Sequence, residues 1–350
     1  MIKMGKFLVL KMFVLGLYGE ISPDLKFNLQ GIGGKTYNES IFVQKNKKII
    51  FFISPHCRVS GKFFKYISDL TKNHKSTFNR FYLISPNYIQ ALLPDDLAYT
   101  DLQMSIEGME TLSKRYGFEV PFIFDGNQEI TKALDINTTP SVVFLNEENN
   151  IIYKGKIGEI TPKGSVETTY FDQIINGNHS SKTVITKVRG TEIKTAGDMP
   201  ATSRILQRYA NETVKLVYAD KEKIEFFMKF HNRKAALFFL WQLEDRNCRE
   251  NLLKVTEIYK IYRKRGLSLI TICISENEEN ILENLKQAQS SAYNFKSDFY
   301  QTNQLYSLSD TDGPITPMLV VVDKKGKLQF KRKGDIEIQE LRTRVLRLLN

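Results

Sequence analysis

One order of elements is written twice in this chain, and that duplication constrains the fold more than any single residue does. Residues 48–70, KIIFFISPHCRVSGKFFKYISDL, run from an apolar strand through a short polar turn with a cysteine into an amphipathic helix. Residues 234–266, KAALFFLWQLEDRNCRENLLKVTEIYKIYRKRG, repeat the order, again with a cysteine in the turn. In the first helix Phe63, Phe64, Ile67 and Leu70 recur at helical spacing.

The copies then stay in step. Second strands follow at 81–85 (FYLIS) and 267–275 (LSLITICIS), continuous apolar runs of the kind a sheet covered on both faces requires. Helical regions are predicted over 99–116 and 279–293. Residues 136–158, INTTPSVVFLNEENNIIYKGKIG, and 313–335, GPITPMLVVVDKKGKLQFKRKGD, both read as Thr-Pro, apolar strand, polar turn and returning strand, so these strands pair antiparallel. A closing helix ends each copy, marked by Tyr170, Phe171, Ile174 and Ile175 in one and Leu341, Val345, Leu348 and Leu349 in the other. The expected class is α/β, with two tandem units that each carry a mixed central sheet flanked by helices. The weakest periodicity lies between them, in a stretch rich in Ser, Thr, Gly and Lys. The expected division is 21–178 for the first domain, 179–211 for a linker and 212–350 for the second domain.

Composition narrows the function classes. At 42% hydrophobic and 25% charged the 350-residue chain is globular, which excludes disorder, collagen-like repeats and a polytopic membrane protein. A formal charge of +11 favours acidic partners without naming one. The most basic string, QFKRKGD at 329–335, reads as a solvated strand end, so no nucleic-acid partner is expected. Residues 1–20 have a basic start, an apolar run and small residues, the layout of a secretory signal, although Lys11 interrupts it. That layout favours export to the periplasm or cell envelope, with a cytoplasmic protein left open. The run is too short to be a stable membrane span. With only Cys57, Cys248 and Cys273 and four scattered histidines, neither a disulfide framework nor a metal cluster is expected, and no cofactor is implied.

The order strand, cysteine turn, helix, strand, helix, Thr-Pro-strand, hairpin, helix resembles the thioredoxin fold, and both halves resemble its TlpA-like and AhpC/TSA-type redoxin branch. In the first half DLKFNLQGIGGKTYNES (24–40) is similar to the family's opening hairpin, and YGFEVPFIFDGNQEITKALDINTTPSVVFLN (116–146) to the segment leading into its cis-proline loop. In the second, FFLWQLEDRNCRE (238–250) is similar to the active-site string F-W-x-x-W-C-x-x-C-R-x-E, and ITPMLVVVDKKGKL (315–328) to the strand after the proline. The resemblance implies cis peptide bonds before Pro140 and Pro317. It also implies that Thr139 and Thr316 present their backbones to an extended polypeptide.

The departures from the family are as informative. Its nucleophilic cysteine falls on Cys57 and its resolving cysteine on Ser60, whereas in the second copy these positions hold Asp245 and Cys248. One site is C-x-x-S, the other D-x-x-C, and neither is a dithiol. The extra cysteine that some relatives carry in a Gly-Cys-x-Ile-Lys string is replaced within Gly190, Thr191, Glu192, Ile193 and Lys194.

Cys57 is expected where a strand gives way to a helix, so that unpaired amides and the helix dipole favour its thiolate. Ser60 can offer a hydroxyl, and His56 and Arg58 add positive charge if they turn inward. Asp245 caps its helix and cannot be a redox nucleophile; Cys248 lies shielded inside it. The leading reading is a thiol-disulfide oxidoreductase or thiol-binding protein working on protein or small-molecule thiols through Cys57, with a non-catalytic second domain. Two alternatives stand beside it: a polypeptide-binding scaffold using the cis-proline faces, and a one-cysteine peroxidase with Ser54 as helper.

Overall fold

The computed structural model describes residues 21–22, 24–74, 79–175, 183–229, 233–302, 305 and 316–350. The signal-like segment 1–20 lies outside the described residues. Two six-stranded mixed sheets organise the chain.

In the first sheet the central strand Lys47–Phe52 lies parallel to Asn79–Ser85 and antiparallel to Ser141–Leu145. Phe122–Phe124 extends the parallel side, and Ile151–Gly155 closes the antiparallel side as a hairpin. The second sheet repeats this. Ala235–Trp241 is parallel to Leu267–Cys273 and antiparallel to Met318–Asp323, which turns back into Leu328–Lys333. The chain is therefore a tandem of thioredoxin-like α/β units. Alternation puts Ile49 and Phe51 in the core on one face of the first sheet and Ile50 and Phe52 in the core on the other. In the second sheet Leu237, Phe239 and Trp241 face one core and Ala236, Phe238 and Leu240 the other. Those unbroken apolar runs in the sequence exist because both faces are covered.

Three local expectations change. The helix expected over 99–116 is Ile106–Tyr116, started by Ser105, whose Oγ accepts from the Gly108 amide at 3.1 Å, and ended by left-handed Gly117. The residues before it are taken by the second domain: Tyr262 donates its hydroxyl to the Thr100 carbonyl at 3.0 Å, and Thr343 donates to the Asp101 carboxylate at 2.9 Å. The helix expected over 279–293 is Glu278–Gln287, and Tyr293–Lys296 is instead a parallel strand between Leu267–Cys273 and Leu216–Tyr218. Within 179–211, read as a linker, Val184–Ile185 adds to the first sheet, Thr191–Glu192 pairs with Thr138–Thr139, and Met199–Ala210 forms a helix. These short strands are held by backbone pairing, which leaves no hydrophobic period to read. The hairpin Asn28–Gln30 with Thr36–Asn38 matches the opening element that the family resemblance implied.

The two units are joined by a dense polar seam. Lys264 pairs with Asp95 at 2.6 Å, Arg265 donates to the Ala98 carbonyl at 2.7 Å, and Gln339 donates to the Asp101 carbonyl at 2.9 Å. Ala98, from the first half of the sequence, is buried in the core of the second sheet with Leu97 packed beside it. No helix among the described residues is long and apolar enough to cross a membrane.

Candidate functional site

Cys57 sits at the end of the central strand of the first sheet and is the N-cap of the helix Arg58–Gly61. Its Sγ accepts from the Ser60 amide at 3.3 Å and lies 3.2 Å from the Thr139 carbonyl, to which the thiol donates. The Thr139–Pro140 bond is cis, as is Thr316–Pro317 in the second domain. Cys57, Ser60, Thr139 and Pro140 are thus brought to one place.

Burial pushes the Cys57 thiol up, but contacts from the Ser60 side chain, Thr191, the Ser60 amide and Thr139 together hold it below the ordinary thiol value. Helix-terminal amides favour negative sulfur, and a buried site strengthens each such contact. Ser60 also accepts from the Ser54 amide at 3.4 Å, so it braces the strand end as well.

His56 does something other than expected. It is 4% exposed, neither ring nitrogen has a hydrogen-bond partner among the described residues, and its pKa is lowered to about 4. Burial is the main cause, reinforced by the Arg342 guanidinium of the second domain, with the Leu97 backbone opposing. His56 is neutral near pH 7 and brings no charge to the thiol. Arg58 is exposed, on the rim rather than turned inward.

Thr191 is the residue that sequence reasoning missed, although its string was in view. Thr191 and Glu192 pair antiparallel with Thr139 and Thr138, on the edge that the cis-proline resemblance assigned to a polypeptide. The segment is pinned on three sides. Lys194 donates its amide to Asn87 Oδ1 at 2.9 Å, its carbonyl accepts from Gln128 Nε2 at 2.7 Å and from the Tyr88 amide at 2.9 Å, and Ile193 is buried in the core. Gly190 is required here, since a Cβ would fall 2.0 Å from the Thr139 carbonyl oxygen. In the first domain, then, that backbone edge is already filled by the chain itself.

Ser54, the helper in the peroxidase reading, is occupied elsewhere. Its Oγ accepts from Asn87 Nδ2 at 3.1 Å and from the His56 amide at 3.3 Å. A groove of about 230 Å³ is lined by Pro140 together with Val59, Phe63, Ile157, Lys187 and Arg189 among others.

Residues 19–170 match the family model described as Redoxin. The first domain has the thioredoxin-like fold, and this stretch of it is similar to the redoxins. No curated protein matches the chain. Among solved structures, a hypothetical protein from Sinorhizobium meliloti is 20% identical at a TM-score of 0.42, covering 51% of this chain and 95% of its own. A secreted Mycobacterium tuberculosis disulfide oxidoreductase homologous to E. coli DsbE is 11% identical at a TM-score of 0.30, covering 44% and 96%. StoA from Bacillus subtilis is 19% identical at 0.29, covering 37% and 85%.

The second domain places its equivalents differently from the redoxin domain. Asp245 caps the helix Arg246–Tyr262 by accepting from the Asn247 amide at 2.8 Å. Cys248, fully buried, points its thiol at Asp245 Oδ2 at 3.5 Å. Burial pushes that thiol up to about 12; the Gln242 backbone and Thr316 oppose it, and the Asp245 carboxylate adds a smaller push upward. Cys273, paired in register with Trp241 inside the sheet, is pushed up to about 11 by burial. Neither sulfur is a thiolate near neutral pH, and all three cysteines are free.

Proposed function

We propose that the protein is a redoxin-type thiol-disulfide exchanger acting through one sulfur, Cys57, with no sulfur chemistry in its second domain. The observation that carries this reading is the helix N-cap position of Sγ, where the Ser60 side chain, the Thr191 side chain, the Ser60 amide and the Thr139 side chain lower the thiol's pKa in spite of burial. In the step, the thiolate attacks a disulfide, a bond forms between Cys57 and one half, and the other half leaves as a thiolate that takes up a proton. Ser60 cannot displace the mixed disulfide, so a thiol from outside the site completes the cycle. The second domain then serves as a binding and packing module.

The polypeptide-binding alternative draws on the groove beside Pro140, but the strand edge it needs is paired with Thr191 and Glu192. The alkylation rate of Cys57 against pH tests the leading reading. The midpoint is expected below about 8.5, the value of a free cysteine; a midpoint at or above that value removes thiol exchange as the function.

A further inference from the structure

The way in to Cys57 points to its substrate class. Cys57 is 2% exposed, and with the edge at Thr138–Thr139 filled the backbone pairing by which a polypeptide disulfide would dock is closed. What remains is a cleft of about 590 Å³ between the two domains, with Cys57 in its lining. That is the size of a small-molecule site.

The cleft is basic, and the charge comes from both domains. Arg58 and Arg115 line it from the first, and Lys234, Lys264 and Arg265 from the second. Arg115 is neutralised by Asp101 at 2.8 Å and Lys264 by Asp95 at 2.6 Å. Lys234 and Arg265 are spent on neutral acceptors, each donating to the Leu349 carbonyl, so their charges are uncancelled there. Five cations, Arg58, Arg115, Lys234, Lys264 and Arg265, thus stand against the two carboxylates of Asp101 and Asp95 around the cleft. Arg58 and Arg265 line the same cleft, and Arg265 is held below its ordinary pKa by burial, with Tyr99 and Tyr262 opposing and a smaller push downward from Arg58. Like charges gathered around one cleft cost free energy unless an anion enters among them.

We propose that this cleft selects a low-molecular-weight disulfide bearing carboxylates and delivers it to Cys57, so that the domain without a working sulfur supplies half of the substrate-binding wall. The proposal rests on the thiol-exchange reading. Thiolate attack joins one half of the disulfide to Cys57, and the other half departs and is protonated; the disulfide itself is the oxidant.

The test uses the full chain and two probes, glutathione disulfide with net negative charge and cystamine with net positive charge. Mixed-disulfide formation at Cys57 is followed by mass, and each rate is divided by that of a small free thiol. The expected preference is about tenfold or more for glutathione disulfide at low salt, the range of electrostatic steering. It shrinks severalfold at about 0.5 M salt, where screening is nearly complete over the cleft. Arg58→Glu, a change at an exposed side chain, and Arg265→Gln each reduce the preference; the first is the cleaner variant because Arg265 also holds interdomain carbonyls. Equal rates, a preference for cystamine, or a ratio unmoved by Arg58→Glu overturns charge selection alone. Failure of Cys57 to react with either disulfide overturns the thiol-exchange reading and this proposal together.

Discussion

Thr191 lies in antiparallel register with Thr139 and is among the groups that stabilise negative charge on Cys57, so a segment from beyond the first closing helix completes the site. The strand occupies the edge that the family resemblance assigns to a polypeptide, and it tunes the sulfur beside it. Both effects come from residues more than a hundred positions from Cys57 in sequence.

Removing the Thr191 hydroxyl isolates the tuning. Thr191→Val is expected to raise the Cys57 alkylation midpoint by up to about one unit, since one hydrogen bond is worth ~1 kcal/mol and one unit ~1.4 kcal/mol. Thr191→Ser is expected to restore it. An unchanged midpoint in the valine variant removes the hydroxyl from the account of thiolate stabilisation.

His56 links acid stability to the interdomain seam. Unfolded, it titrates near 6.5; folded, only near 4, because burial and the Arg342 guanidinium oppose its charge. Below pH 6.5 the unfolded chain binds a proton that the folded chain refuses, so stability is full above that value and is lost as pH falls toward 4. The loss is at most about 3 kcal/mol. Urea unfolding at pH 7.5 and pH 5 should show this slope in the wild type and a flatter one in His56→Gln; equal slopes in the two proteins refute the assignment.

Asp245 separates cap from charge in the second site. Asp245→Asn keeps a good N-cap, so stability should change by under about 0.5 kcal/mol, whereas Asp245→Ala should cost about 1 kcal/mol. In the Asn variant the Cys248 thiol should fall from about 12 yet stay above an ordinary cysteine, because burial is its larger cause. Denaturant melts and thiolate absorbance against pH measure the two effects; a Cys248 value that does not move shows that the carboxylate contributes nothing.

Much of this architecture is legible in the residues alone. The doubled strands, the hairpins after Thr139 and Thr316, and the place of Cys57 at a strand-to-helix junction are all local patterns, set by which side chains can be buried along a strand or on a helix face. The cis bonds at Pro140 and Pro317 follow from family resemblance, and the structure has both. The short helix before Tyr116 and the strand at Tyr293–Lys296 were misjudged because their neighbours override local preference: Tyr262 and Thr343 take the polar groups of Thr100 and Asp101, and two flanking strands recruit the 293–296 segment.

The sequence by itself determined two sheets, their buried faces and one sulfur at a helix mouth, because hydrophobic period and cap chemistry act over a few residues. Only the tertiary structure decided that Thr191 fills the edge beside that sulfur, that His56 is buried and neutral near Arg342, and that cations of the second domain line the same cleft as Cys57. Those relationships depend on backbone pairing and on charge brought together from distant segments, and neither leaves a period in the chain.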